Sequence, residues 1–142
     1  MANATYTAFK QGLLNAEYDL NTASIKVALV RAYTFSAAHA TMADVTGAGG
    51  VVNGTSAALT NPTITGGVFD ADDTTITTTS SAVNHYLIVY QSSAVAGGAD
   101  VAAASQKLIA YFDTGTGLPI VPGAGVLTVT WANTTNRILK VG

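Results

Sequence analysis

With 142 residues, a net charge of -2 and no cysteine, the chain has the length of one domain able to bury roughly 70% of its unfolded surface. That composition excludes disulfides, thiolate nucleophiles and cysteine-ligated metals. Six Lys and Arg residues, scattered from Lys10 to Lys140, form no basic stripe for nucleic acid. No segment supplies the roughly 20 continuous apolar residues of a membrane helix, and "MANATYTAFK" lacks the basic-then-apolar order of a secretory signal. The expectation is one soluble, unexported domain spanning residues 1–142, with neither a nucleic-acid nor a membrane partner.

Taken in chain order, Tyr6, Phe9, Leu13 and Leu14 recur near helical spacing, with Thr5 as N-cap, and predict a short amphipathic helix from about Thr5 to Ala16. "SIKVALVRAY" alternates Ile25, Val27 and Leu29 against Lys26, Ala28 and Val30 and reads as a strand. "TFSAAHATMADV" predicts a second short helical turn opened by Ser36, and "TGAGGVVNGT" a loop or hairpin. From Asn53 onward, "SAALTNPTIT", "GVFD", "TTITTT", "NHYLIVYQ", "QKLIAYFD", "VLTVTWA" and "NRILKV" are short apolar or branched runs between Gly, Pro, Asn and Asp clusters. "HYLIVYQ" is apolar at both parities and belongs at the centre of a sheet. In "VLTVTWA", Leu127, Val129 and Trp131 share one side and Thr128 and Thr130 the other, so one side is wet or faces a partner. The pattern predicts a mainly β (α+β) fold, a compact β-sandwich or barrel with one short N-terminal helix.

The surface composition is unusual. Charged residues make only 10% of the chain, against about 25% in typical soluble domains, while alanine and threonine together make about a third. Small neutral side chains lose little rotamer entropy when pressed against a partner, unlike Lys or Glu. Simple compositional drift in a stable β protein produces the same statistic.

Candidate chemistry is sparse. "LIAYFDTGTGLPI" contains the Asp-Thr-Gly of aspartic proteases, but that reaction needs two carboxylates about 3 Å apart sharing a proton. No second copy exists. The segment after Asp113 is too short for the flap and return strand of a protease lobe, so Asp113 reads as a strand end entering a turn. Asp70, Asp72 and Asp73 lack the central Gly and the twelfth-position Glu of an EF-hand and read as an exposed acidic turn without an ion. His39 and His85 have no Gly-x-Ser-x-Gly partner. Gly47 to Gly50 lack the Lys-Ser/Thr of a phosphate loop, and the sequons at Asn3, Asn53 and Asn133 lack an export signal. No catalytic residue, metal site or cofactor is expected.

"FKQGLL", "IKVALV", "YTFSAAH", "GVFDADDTTIT", "LIVYQ", "LIAYFDTGTGLPI" and "VLTVTW", in that order from Phe9 to Trp131, resemble a family of small virion proteins of tailed bacteriophages. The resemblance implies a non-enzymatic structural protein, made in the host bacterial cytoplasm and carried on the virion. Its foremost job would be decoration or cementing of the outer capsid through contacts to the major capsid protein. Tail, connector and head-fibre components are the alternatives within the same particle. A homotrimer is expected because icosahedral shells offer three-fold and local three-fold positions. Thr74, Thr75, Thr77, Thr79, Thr128 and Thr130 are the candidate contact residues.

Overall fold

The computed structural model describes residues 3–79, 83–133 and 137–141. Strand β1 (Ala4–Thr5) leads into helix α1 (Thr7–Leu14), strand β2 (Ser24–Arg31), helix α2 (Met42–Gly47) and strand β3 (Val51–Thr55). Then come β4 (Thr63–Thr65), β5 (Val68–Asp70), β6 (Thr74–Thr78), β7 (His85–Ser93), β8 (Lys107–Phe112), β9 (Gly125–Val129) and β10 (Leu139–Lys140), with a 3-10 turn at Ala103–Ser105 between β7 and β8. The fold is mainly β, as the strand and turn pattern predicts. Five antiparallel strands in the order β1-β8-β7-β2-β3 form the main sheet; β10-β5-β4 form a small sheet, and β6 and β9 form a two-stranded ribbon.

Strand β7 sits between β8 and β2 because both of its parities are apolar. Leu87, Ile88, Val89 and Tyr90 are all buried, which leaves no side for water. Strand β2 is covered in the same way, with Val27, Ala28, Leu29 and Val30 inaccessible. Phe69, Ile76 and Leu139 from the smaller sheets and Trp131 just beyond β9 join these strands in one apolar cluster. Ribbon and main sheet meet at Gly54, where an added Cβ would lie 2.5 Å from the Thr77 carbonyl oxygen. The glycine lets β6 cross β3 in close contact.

Five local expectations are corrected. Thr5 does not cap α1: it pairs with Ala110 at the sheet edge, and Tyr6 takes the N-cap position without a side-chain bond. Burying Tyr6 completely outweighs a cap of about 1 kcal/mol. The helix ends at Leu14, not Ala16, whose φ of 56° lies in the left-handed region. Gly12 persists inside it because the Tyr18 ring occupies the space a Cβ would take.

Ser36 opens only a turn, accepting the Ala38 N–H on its hydroxyl and the His39 N–H on its carbonyl. The second helix starts after Thr41, where Asp44 accepts the Thr41 N–H at 2.8 Å and completes a capping box. Of "SAALTNPTIT" only Thr63–Thr65 form a strand, since Pro62 withholds a ladder donor. The glycine-rich stretch contains one instead, with Val51–Thr55 pairing β2. Asn136 of "NRILKV" and Thr135 of the sequon at Asn133 lie outside the described residues.

Candidate functional site: a threonine face beside an apolar cavity

The β6–β9 ribbon begins as a sequence alternation. In Thr74–Thr78 and Gly125–Val129 one parity is apolar or buried and the other is threonine-rich, and branched residues suit the pleated surface. The register places Thr75 opposite Thr128, Thr77 opposite Val126 and Ile76 opposite Leu127. Directly opposed residues share a face. Thr75, Thr77, Val126 and Thr128 therefore point the same way, and all four are exposed. Thr79 and Thr130 continue that parity and are exposed as well.

Five of the six candidate threonines thus converge on one surface. Thr74 does not: it is half-buried on the opposite parity, with fully buried Ile76 and with Thr78. The sequence pattern did not single out Val126, which is 70% exposed and sits among the threonines. Between Thr75 and Thr79, and between Val126 and Thr130, there is no charged residue. Thr79 also leans toward β3, its hydroxyl 3.5 Å from Asn53 Oδ1.

The other parity of β9 lines a cavity of about 660 Å³. Leu127 and Val129 form one wall and Trp131 another, while Leu87 and Phe112 of the main sheet and the loop from Gly115 to Ile120 complete it. The Phe112 and Trp131 rings lie 6.3 Å apart at 53°. Arg137 stands at the lining, already paired with the Asp70 carboxylate. The Trp131 backbone N–H donates to Asp73 Oδ1 at 2.9 Å. Its indole N–H is buried without an acceptor among the described residues, which costs about 1–3 kcal/mol for a buried donor.

The aspartates picked from the sequence are dispersed among separate partners. Asp70, the half-buried end of β5, binds Arg137; it is not part of an exposed turn. Asp72 accepts from Thr60 Oγ1 at 3.0 Å and Asn61 Nδ2 at 2.7 Å, and Asp73 holds Trp131. Each carboxylate ties a different segment, and no cluster suited to a metal occurs among the described residues. At the Asp-Thr-Gly turn, Asn3 Oδ1 accepts the Asp113 N–H at 3.1 Å, the Thr114 N–H at 3.0 Å and the Thr114 hydroxyl at 3.0 Å. The N-terminal asparagine clasps the end of β8.

His85 is fully buried in β7, its Nδ1 2.6 Å from the Val83 carbonyl. His39 ends a hydrogen-bonded series in which Tyr6 donates to the Tyr33 hydroxyl at 3.3 Å and Tyr33 meets His39 Nδ1 at 2.7 Å. Burial pushes the Tyr6 phenol up, helped by Tyr33, and pushes Tyr18 and Tyr90 up to about 12. These tyrosines stay neutral, and Tyr18 donates to the Leu108 carbonyl at 3.0 Å. Asp44 is pulled down by the Ala40 and Thr41 amides it accepts, and Asp100 by its bond from Lys26.

Comparison with protein-family models, with curated proteins and with solved structures returns no match.

Proposed function

We propose that this chain is a non-enzymatic structural protein of a tailed-phage virion, a decoration or cement protein that binds the outer head surface as a homotrimer and bridges neighbouring major capsid protein subunits. The observation that carries the proposal is the neutral face of Thr75, Thr77, Thr79, Val126, Thr128 and Thr130. Threonine on a strand is already restricted at χ1, so a partner covering this face freezes little side-chain freedom. Its hydroxyls donate and accept, which suits a polar partner surface without demanding opposite charge. A cement protein needs only modest affinity at each contact, because a trimer engages several sites at once.

The family likeness in the order of segments from Phe9 to Trp131 supplies the particle, and the ribbon supplies the surface. No catalytic residue, cofactor or metal enters the proposal. Particles assembled without the protein are expected to form but to release DNA at lower temperature, and purified protein added back to restore them. Light scattering should give a trimer for the free protein. Headless or tailless particles, or particles equally robust without it, would overturn the cement role in favour of a tail, connector or head-fibre component.

A further inference from the structure

The most exposed large apolar side chain among the described residues is Leu14, at 90%. It ends α1, and Lys10 stands one turn earlier on the same side of the helix. Its neighbour Leu13 lines a hollow of about 290 Å³ between the end of α1 and the small sheet. Leu20, Ile64, Phe69 and Val141 line that hollow as well, and Asp19 is the charged residue at its lining. Ile64 and Val141 are each 52% exposed, so the apolar wall is open to solvent. The knob and the hollow carry opposite charge. Among the described residues neither Lys10 nor Asp19 has an ion-pair partner, and the Thr22 hydroxyl and Asn21 amide hold the Asp19 carboxyl below its ordinary value. One chain thus presents an apolar knob beside a cation and an apolar hollow beside an anion.

We infer that these features form one contact between copies of the chain: Leu14 of one copy seats in the hollow of the next, and Lys10 meets Asp19 across the join. The inference rests on the homotrimer reading and names the surface that closes it. Consecutive residues of a helix diverge by about 100°, so Leu14 points away from the hollow that Leu13 lines. A knob and a hollow facing different ways fit a head-to-tail contact, which closes into a ring, better than a two-fold contact, which pairs one patch with itself. Each join removes from water a leucine that the free copy exposes, which is the driving force, while the charge pair fixes its orientation. No residue of this contact belongs to the threonine face, so each surface can be broken alone.

Two measurements on the full chain test it. Light scattering should give a trimer for the parent, whereas Leu14→Asp should need a concentration about tenfold or more higher to assemble. Its circular dichroism spectrum should stay that of the parent, because Leu14 touches little within its own copy. The chain has no cysteine, so cysteines placed in the knob and the hollow have only each other to pair with. Oxidised Leu14→Cys/Ile64→Cys should run as a covalent trimer on a denaturing gel without reductant, and each single variant should stay uncrosslinked. A parent trimer that Leu14→Asp leaves intact, with no cross-link in the double variant, would overturn this contact and leave the trimer standing. A parent that stays monomeric would overturn both. Cross-linking of Leu14→Cys to itself would assign the knob to a two-fold contact and overturn the head-to-tail one.

Discussion

Strand β7 and the β6–β9 ribbon are both runs of branched and apolar residues, yet one is sealed on both faces and the other on one. In β7, Leu87 and Val89 are matched by Ile88 and Tyr90 on the alternate parity, and all are buried. In β6, Ile76 and Thr78 are buried while Thr75 and Thr77 are exposed. A solvent-facing strand ordinarily places Lys or Glu at such positions, which discourages association along the sheet. Here the outer parity is threonine. The difference separates strands whose second face completes the fold from strands whose second face is left for something outside it.

The largest expected effects come from breaking the sealed region. Phe9 is 1% exposed and packs edge-on to Tyr18 at 5.0 Å, so Phe9→Ala should lower stability by about 3–5 kcal/mol, read by urea unfolding. Ile76→Ala, at the one fully buried apolar residue of β6, should cost about 2–5 kcal/mol. A much smaller cost for Ile76 alone would mean that the ribbon is held by its strand pairing and not by the core. The seam between the two regions is sharpened by Gly54→Ala. Its Cβ would meet the Thr77 carbonyl, and relief requires moving the β6 backbone, an overpacking cost of about 1–3 kcal/mol.

A pH series separates the regions again, because the shifted tyrosines all belong to the sealed one. Tyr18 and Tyr90 have folded values near 12 against an ordinary 10.0, and Tyr6 and Tyr111 are also raised. A raised folded value contributes stability that is complete below pH 10 and is lost as the pH rises from about 10 toward 12. Melting temperature should therefore fall above pH 10, and Tyr18→Phe should flatten part of that slope. At the acid end the sign reverses. Asp44 and Asp100 are lowered from 3.8, so their stabilisation is present above about pH 4 and disappears as the pH falls below it. Asp44→Asn should reduce the acid slope at the α2 cap.

How much of this was legible in the sequence follows the physical scale of each signal. The central place of "HYLIVYQ" and the two-sided character of "VLTVTWA" were readable because parity is a local property of a strand. The threonines at 75, 77, 79, 128 and 130 could be named as a surface for the same reason. Thr74 falls on the other parity, which composition does not reveal because it marks a threonine run without telling where its parity begins; that is fixed by the pairing of Thr74 with Val129. The Thr5 cap failed because local cap chemistry competes with Tyr6 burial, a tertiary term. The cavity was not legible at all. Leu87, Phe112, Leu118 and Trp131 are far apart in the chain, and only the crossing of ribbon and main sheet brings them together. One hint was present: Leu127, Val129 and Trp131 shared a side, and that side had to cover something.

The smallest expected effect on stability is the most informative about function. Thr128→Lys and Thr75→Lys place long cations on the exposed face, opposite each other in the ribbon and away from the core. Surface substitutions of this kind usually change stability by no more than about 0.5 kcal/mol, so the melting temperature of the free protein should hardly move. Shell binding should nevertheless be lost for either variant, since each lysine must be desolvated and frozen against the partner, and the double variant adds repulsion across the strand pair. Thr74→Ser, on the half-buried parity, is the matched control: it should leave shell binding unchanged. If the lysine variants bind as well as the parent, the threonine face is an ordinary surface, and its lack of charge reflects composition and not a partner. If they also lower the melting temperature by many degrees, the ribbon is more deeply coupled to the core than its exposure implies, and the contrast between sealed strand and open ribbon fails at its foundation.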